Sequence, residues 1–479
     1  MFKFSTKSEQ LLNTVQKELS VLAHEVIKIS PIDFSITEGF RDRMRQKELY
    51  NEGKSRTLNS KHCLDIDTEI LTNNGWKNIN TISKDDLCYS FNMETEKIEK
   101  TEILEIIKQK RKEKLIQIKN KHIDLLLTDK HNILLKTFNN QYKSKNIKNY
   151  SNSEYHNNLK KNYRLEKAEN IFNKRIKIPV CAFEYNEKSI YDLDYLKLLI
   201  AIICDGSISK DKNCNSYDIH FNLKKERKIV FLENLLKKLN IEYSKKYCKS
   251  REKINQYGVF HINILGGKKI KQKIVDIITE NKIIPDFFLN LSVEEKQDLI
   301  ETYIFFDGCK NKKYNNSNVI SSIKEENIDK LQIMCITSNY RCIKNKIKSE
   351  NLKTSFKNVK DIYHLYIVKN KNTSRINEKI SYSYVDYDNY VWCISNKNHT
   401  IIVRRNGKVS IVGNCECKAI DIVCCKEGYT EPLRDIYIVI GLFLAKAKEL
   451  NIKIRVGALW DKTSTKDNNF LDAFHIELV

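Results

Sequence analysis

The sequence lacks an apolar run long enough to cross a membrane. The longest run, Ile436 to Ala445, is bounded by Asp435 and Lys446, whereas a spanning helix needs about 20 apolar residues. Residues 1–20 alternate charged and apolar side chains and lack the apolar centre of a secretory signal. These absences predict a protein with no membrane span that is made in the cytosol of the host cell.

Closely spaced cysteines are also lacking. The 14 cysteines are scattered over 479 residues, unlike the dense framework of a small disulfide-stapled secreted protein. We therefore expect reduced thiols, some of which are available as nucleophiles. The length is sufficient for about three domains with cores of their own.

Acidic residues are too few to balance the basic ones. The chain has 84 Lys and Arg against 61 Asp and Glu, a net charge of +23, and nearly all of this excess lies in residues 63–414. Such a segment suits a polyanion, because neutralised phosphates release counterions. A Lys- and Asn-rich composition with solvated faces is the alternative explanation.

A motif is present in two pieces. Removing residues 63–414 joins Ser60-Lys61-His62 to Cys415-Glu416-Cys417-Lys418-Ala419-Ile420-Asp421. The joined text resembles the SxHxxGxAxD signature of small zinc peptidases that cut cell-wall peptides, with Cys417 in place of the glycine. The interruption predicts a precursor with a splicing element inside a metal site.

The ends of the insert carry further motifs. Cys63 precedes strand-like text, Thr128 to His131 reads TxxH, residues 391–402 contain Trp392 and His399, and Asn414 precedes Cys415. This order resembles the splicing blocks of inteins. Most inteins have His before the terminal Asn, whereas this chain has Gly413.

The resemblance assigns chemistry that these residue types can perform. The thiol of Cys63 attacks the carbonyl of His62 and forms a thioester, with Thr128 and His131 assisting the amide nitrogen. Cys415 takes over the acyl group. Asn414 then cyclises onto its own carbonyl and releases the insert, with His399 assisting; His399 or Cys393 would cover the role of the missing penultimate His.

The middle of the insert contains a near-repeat. Residues 198–206 and 299–308 are apolar helical text ending in Asp205-Gly206 and Asp307-Gly308. Both copies resemble LAGLIDADG homing endonucleases, although Ile200, Thr302 and Phe306 are larger than that family prefers at the helix contact. The resemblance implies that Asp205 and Asp307 hold Mg²⁺ and act on double-stranded DNA at the insertion site. An ordinary core helix with a glycine cap is the alternative, and a decayed nuclease that only binds DNA is another.

The outer segments resemble phage L-alanyl-D-glutamate and D-alanyl-D-alanine peptidases. The resemblance implies that His62, Asp421 and His475 bind Zn²⁺, that Asp472 is the general base and that Arg41 stabilises charge on the scissile carbonyl. A zinc-binding structural module, or a thiolate knot that uses cysteines of the tail, is the alternative. The cysteines in question are Cys415, Cys417, Cys424 and Cys425.

We therefore expect a multidomain fold: a β-rich Hint splicing domain with an inserted α/β LAGLIDADG endonuclease, inside a split α+β zinc peptidase. The mature peptidase is expected to act on peptidoglycan after release from the cell. The predicted ranges are 1–62 and 415–479 for the peptidase, 63–180 and 375–414 for the splicing domain, and 181–374 for the endonuclease. Residues 140–170 are predicted to be a loop.

Overall fold

The structure is a computed structural model that describes 12 stretches of the chain. The predicted site residues Arg41, His62, Cys415 and Asp472 lie outside them. The described residues are 2–39, 63–136, 162–211, 216–248, 259–311, 317–351, 360–369, 371–376, 381–414, 419–425, 434–459 and 474–478.

The chain begins with two helices, which are followed mainly by strands. The helices are α1 (Thr6–Leu12), α2 (Lys17–Ile29) and α3 (Ala168–Ile171). The strands are β1 (Phe34–Glu38), β2 (Leu64–Asp65), β3 (Glu69–Thr72), β4 (Gly75–Lys77), β5 (Leu87–Asn92), β6 (Lys97–Glu102), β7 (Glu105–Lys119), β8 (Asp124–Leu127), β9 (Asn132–Lys136), β10 (Tyr163–Lys167), β11 (Ile176–Pro179) and β12 (Phe183–Glu184).

The middle of the chain mixes helices and strands. The helices are α4 (Leu193–Asp205), α5 (Glu226–Lys238), α6 (Gly267–Ile278), α7 (Val293–Asp307) and α8 (Glu325–Thr337). The strands are β13 (Gly206–Asp211), β14 (Ser216–Leu223), β15 (Tyr243–Cys248), β16 (Val259–Ile264), β17 (Gly308–Asn311), β18 (Ser317–Ser322), β19 (Arg341–Ile347), β20 (Ile362–Val368) and β21 (Thr373–Ile376).

The last part of the chain contains four strands, one helix and two further strands. They are β22 (Tyr382–Ser395), β23 (Thr400–Arg405), β24 (Lys408–Gly413), β25 (Ala419–Cys424), α9 (Arg434–Glu449), β26 (Ile454–Val456) and β27 (His475–Leu478). Short 3-10 turns lie at Asp286–Asn290, Ser349–Asn351 and Gly457–Leu459.

Strands from the two ends of the chain share one sheet, in the order β1-β25-β27-β26. Helices α2 and α9 pack on each other beside it. The apolar faces form a core that is separate from that of the insert and includes Leu19, Phe34, Ile422 and Phe443. The outer segments therefore make one α+β unit across the insertion.

The region predicted to be the splicing domain contains two long strands, β7 and β22. A closed barrel contains β2, β22, β7 and β8, and the first residues of the insert enter it through the pairing of Leu64 with Leu127 and with Trp392. The last residues of the insert belong to the hairpin of β23 and β24, in which Thr400 pairs with Gly413.

The middle region contains two copies of one arrangement. The first copy runs α4, β13, β14, α5, β15, β16 and the second runs α7, β17, β18, α8, β19, β20. Both copies place their strands in the same order, β13-β14-β16-β15 and β17-β18-β20-β19. Helices α4 and α7 pack against each other. The sequence near-repeat is thus matched by a repeat of topology.

Two features differ from the sequence-based expectations. Part of the predicted loop at 140–170 is structured, because Tyr163–Lys167 pairs antiparallel with β9 and is followed by α3. The second endonuclease-like sheet also continues into the splicing region through the pairing of Ile343 with Lys408. Local composition carries no signal for either pairing, since the partner strands are distant in sequence or belong to another unit.

No helix in the described ranges is long and apolar enough to span a membrane.

Candidate functional site

The first residue of the insert is held by the turn between β8 and β9. Cys63 is fully buried and its backbone N–H donates to Thr128 Oγ1 at 3.0 Å. The backbone N–H of Thr128 donates to the carbonyl of Cys63, also at 3.0 Å. This pair of bonds fixes the amide nitrogen that a thioester-forming shift would release.

The same turn carries His131. Its backbone N–H donates to the carbonyl of Thr128 at 3.1 Å, which closes the turn, and its imidazole is fully buried. Thr128 therefore contacts Cys63 directly, and His131 lies in the same turn.

The last residue of the insert reaches this turn from the opposite side. Asn414 is fully buried, its backbone N–H donates to the carbonyl of His399 at 3.1 Å, and its carbonyl accepts from Asn132 Nδ2 at 3.3 Å. Thr128 and Asn132 are four positions apart. One turn thus binds both ends of a segment whose ends are far apart in sequence.

Asn132 is a site residue that the sequence analysis missed. It directly follows the predicted His131 and is 4% exposed. The sequence signal for this residue is a polar side chain directly before the apolar residues of β9, a place where a buried residue is usually apolar. Its partner was not visible, because Asn414 lies 282 positions further on.

Gly413 occupies a position with no room for a side chain. A Cβ there would lie 2.6 Å from Cβ of Asn132 and 3.0 Å from the backbone oxygen of the same residue. Real Cβ atoms do not approach each other so closely. Leu165 Cδ2 would lie 2.9 Å from the same Cβ, so a histidine does not fit at position 413 in this packing.

The predicted acidic pair lies at the ends of the packed helices α4 and α7. Asp205 and Asp307 are the last helical residues, and the following glycines cap both helices in an extended conformation, with φ −71° and ψ 152° at Gly206 and φ −85° and ψ 154° at Gly308. A Cβ on either glycine would come within 2.8 Å of backbone atoms of the preceding turn. The Asp-Gly repeat thus sets the same geometry twice.

The two aspartates of the pair have different electrostatic surroundings. Partial desolvation raises the pKa of Asp307, and the negative charge of Asp205 raises it further, although the Asp307 side chain still reaches solvent. Lys228 Nζ donates to Asp205 Oδ2 at 2.5 Å, and Lys282 Nζ donates to the carbonyl of Gly206 at 2.8 Å. Sequence reasoning missed both lysines, which follow the motif at a distance rather than directly.

Ile200, Thr302 and Phe306, which are large for such a helix contact, are accommodated. All three are at most 4% exposed, and Thr302 Oγ1 donates to the carbonyl of Asp298 within its own helix at 2.8 Å. The interface between α4 and α7 therefore packs around them.

The outer unit brings two predicted zinc ligands together. Asp421 and His475 are register partners on β25 and β27, and His475 Nδ1 lies 2.8 Å from Asp421 Oδ1. Glu477 Oε2 lies 3.7 Å from His475 Nε2. Both predicted ligand side chains are largely buried.

These donors suit a divalent metal. A carboxylate and an imidazole side by side are two members of the donor set that catalytic zinc uses, and the predicted third, His62, lies outside the described residues. Within the described stretches no group of three or more His, Cys, Asp or Glu side chains could hold a metal ion. The proposed alternative, a thiolate knot, involves Cys415 and Cys417, which also lie outside those stretches.

A family comparison bears on the outer unit. Residues 1–98 match the family model described as phage L-alanyl-D-glutamate peptidase. The match covers about a fifth of the chain and extends past Cys63 into the insert. No curated protein matches this chain.

Solved structures similar to this chain include homing endonucleases. The I-DmoI complex with DNA and Mn is 14% identical, covering 37% of this chain and 91% of that chain at a TM-score of 0.27. I-WcaI bound to its DNA recognition sequence is 17% identical, covering 38% and 78% at a TM-score of 0.24. Full-length DUF199/WhiA from Thermatoga maritima is 16% identical, covering 39% and 55% at a TM-score of 0.26.

Proposed function

We propose that residues 63–414 form an intein with a Hint splicing domain that excises itself and joins residues 1–62 to residues 415–479. The convergence of Cys63 and Asn414 on the Thr128–Asn132 turn carries this proposal, because splicing requires both ends of the excised segment at one place. The burial of both residues supports it further, since water must be kept away from an acyl intermediate.

The chemistry follows from the residues at the ends. Cys63 Sγ attacks the carbonyl carbon of His62, the bond from that carbon to Cys63 N breaks, and the nitrogen takes the thiol proton. Thr128 Oγ1, bonded to that nitrogen, holds the amide in place, and His131 in the same turn is the candidate proton donor. Cys415 Sγ then attacks the thioester, and Cys63 Sγ leaves as the thiol. Cyclisation of Asn414 breaks the bond to Cys415 N, and the acyl group moves from Cys415 Sγ to that freed nitrogen to form the new peptide bond.

The whole chain tests this proposal. Expression should yield a ligated product of 127 residues and a free insert of 352 residues, identified by mass spectrometry. Cys63→Ala should block ligation, because alanine has no nucleophile for the first step. Ligated product from Cys63→Ala would show that the nucleophile is assigned wrongly.

We propose that the middle of the insert is a LAGLIDADG endonuclease specific for double-stranded DNA at the uninterrupted insertion site. The repeated topology and the paired carboxylates support this role, and a divalent cation such as Mg²⁺ held by Asp205 and Asp307 would supply Lewis acidity at a phosphate. The raised pKa of Asp307 fits a site in which a cation is needed to offset two neighbouring negative charges. Lys228 and Lys282 add positive charge for a phosphate.

We propose that the spliced outer unit is a zinc peptidase that cuts peptidoglycan peptides once it leaves the host cytosol. Asp421 and His475 lie side by side, and His62 is assigned as the third ligand. Zinc bound by these residues would supply Lewis acidity at the scissile carbonyl. Asp472 is assigned as the general base and Arg41 as the group that binds the developing negative charge.

A further inference from the structure

The side-chain amide of Asn132 contacts the proposed C-terminal splice junction. Its Nδ2 donates to the carbonyl oxygen of Asn414 at 3.3 Å. That carbonyl belongs to the peptide bond between Asn414 and Cys415, which must break to release the insert. The donor is therefore aimed at an atom on which negative charge develops during cleavage.

We propose that Asn132 is a catalytic residue of asparagine cyclisation and takes the place of the penultimate histidine that this chain lacks. The inference rests on the proposed splicing function and names the group that stabilises its last cleavage step. Gly413 lies against the Cβ and backbone oxygen of Asn132 and against Leu165 Cδ2, so a histidine at 413 would not fit beside the strand that carries Asn132.

The reaction at this carbonyl can be written with all atoms placed. Asn414 Nδ2 forms a bond to its own backbone carbonyl carbon, the bond from that carbon to Cys415 N breaks, and a proton passes from Nδ2 to the leaving nitrogen. The carbonyl oxygen carries negative charge in the tetrahedral intermediate. A neutral N–H donor already directed at that oxygen stabilises this charge without reorganisation.

The attacking group is in a suitable state for this step. The carboxamide of Asn414 is buried and makes no hydrogen bond to the described part of the chain. Its backbone is fixed at both sides, by His399 at the N–H and by Asn132 at the carbonyl. The side chain can therefore turn towards the carbonyl carbon without breaking a hydrogen bond to the described residues, while the carbonyl stays in place.

Asn132 is itself held firmly. It begins β9 and pairs with Lys167 of β10, and it lies directly after the fully buried His131. The donor is thus positioned by a strand pairing rather than by a loose loop, which is the arrangement that an oxyanion-binding group requires.

The test isolates cyclisation from the other splicing steps. In a full-length Cys63→Ala chain no thioester can form, so release of the fragment 415–479 reports cyclisation alone. We compare Asn132→Ala and Asn132→Asp in this background with Asn170→Ala, a control at an exposed asparagine of α3 whose Nδ2 donates to Glu166 Oε1 at 2.8 Å. Release should fall roughly 10- to 100-fold for both Asn132 variants, towards the lower end of oxyanion-donor losses because the bond is long.

A second readout separates catalysis from folding. In an Asn414→Ala chain with Cys63 intact, added thiol should cleave the His62–Cys63 bond at the parent rate whether residue 132 is Asn or Asp. In the Cys63→Ala background, the fragment 1–414 produced by cyclisation should be lighter by one water than the same fragment with an ordinary asparagine end.

The outcomes are distinguishable. An unaltered chain that yields no ligated product overturns the splicing proposal and this inference with it, whereas an unaltered chain that splices, together with a Cys63→Ala parent that releases no fragment, overturns this inference alone. A parent that cleaves, with both Asn132 variants cleaving at the same rate, overturns this inference alone. Parallel loss of thiol-induced cleavage in Asn132→Asp also overturns it, because the residue would then act through the fold.

Discussion

The peptide units around Asn414 are fixed while its side chain remains unbonded to the described residues. The backbone N–H and the carbonyl each have a hydrogen-bond partner, His399 and Asn132 respectively, whereas both polar atoms of the carboxamide are buried without one. The described residues therefore fix the backbone of Asn414 through hydrogen bonds but not its side chain.

Gly413 offers a direct test of the packing at this junction. Gly413→Ala should slow release of the 415–479 fragment and destabilise the insert by about 1–3 kcal/mol, because the added Cβ forces strand β24 away from Asn132. Fragment release by the Cys63→Ala chain and its thermal unfolding measure the two effects.

A control for this substitution exists in helix α9. At Gly441 no heavy atom lies within 4 Å of an added Cβ, so Gly441→Ala should leave release unchanged and stabilise its helix by about 0.5–1 kcal/mol. Faster release by Gly413→Ala than by the parent would contradict the packing argument.

Sequence reasoning identifies residues whose chemistry is fixed by type and order. The splicing motif can be read directly from the sequence at Cys63, Thr128, His131 and Asn414. In the structure Thr128 and His131 form one turn, and Cys63 and Asn414 make hydrogen bonds to residues 128 and 132 at its two ends. Asn132 carries no such pattern. Its role depends on the meeting of two strands, and a single sequence does not show which distant strands meet.

At the scale of elements, helices α4 and α7 and their sheets form a duplicated unit. The helix text and the two Asp-Gly endings are visible in the sequence, since apolar runs of this length with a glycine cap predict helices. The strand order is not, because β13 to β16 and β17 to β20 pair through tertiary contacts. The continuation of the second sheet into the splicing region is likewise a tertiary result.

The acidic pair predicts opposite effects on activity and stability. Asp307→Asn should abolish cleavage of a duplex carrying the uninterrupted insertion site, since a neutral amide is a poor ligand for Mg²⁺. It should also stabilise the insert by about a few tenths of a kcal/mol at neutral pH, because the ionised carboxylate is desolvated and faces Asp205, and solvent screening keeps the effect small.

The sign of the pH dependence follows from the raised pKa. The raised pKa of Asp307 costs no stability below the ordinary carboxyl value of 3.8, and the cost develops above that value and is complete above the folded pKa. The advantage of Asp307→Asn is therefore present at neutral pH and disappears as the pH falls below 3.8. Asp298→Asn on the same helix, which loses an ion pair with Lys197, is the matched control and should give no stabilisation. A loss of stability in Asp307→Asn at neutral pH would contradict the account, whereas DNA binding without cutting by the unaltered insert in Mg²⁺ would indicate a decayed nuclease.

At the scale of the whole molecule, the outer unit is assembled while the insert is still in place. Its sheet joins β1 to β25, β27 and β26, and its core is separate from the large core of the insert. An exposed ion pair between Lys17 and Glu94 connects the two parts, and such pairs contribute little to stability. The outer unit should therefore fold in the precursor as it does after splicing.

The competence of its metal site should nevertheless change on splicing. In the precursor Asp421 and His475 already lie side by side, but His62 is bonded to Cys63, whose own position is set by the buried turn at Thr128. Splicing attaches His62 to Cys415 and so brings it within seven positions of Asp421. A precursor locked by Cys63→Ala and Asn414→Ala should hydrolyse an L-alanyl-D-glutamate peptide about 100-fold more slowly than the spliced product, because misplacement of a group by about 1 Å has that effect. Circular dichroism and thermal unfolding should show the outer unit folded in both, which separates a misplaced ligand from a missing fold.

In the spliced product Asp472→Ala should abolish turnover and retain bound zinc, whereas Asp421→Ala should lose both. A locked precursor as active as the spliced product would show that splicing does not gate the peptidase, and zinc loss in Asp472→Ala would make that residue a ligand rather than the base.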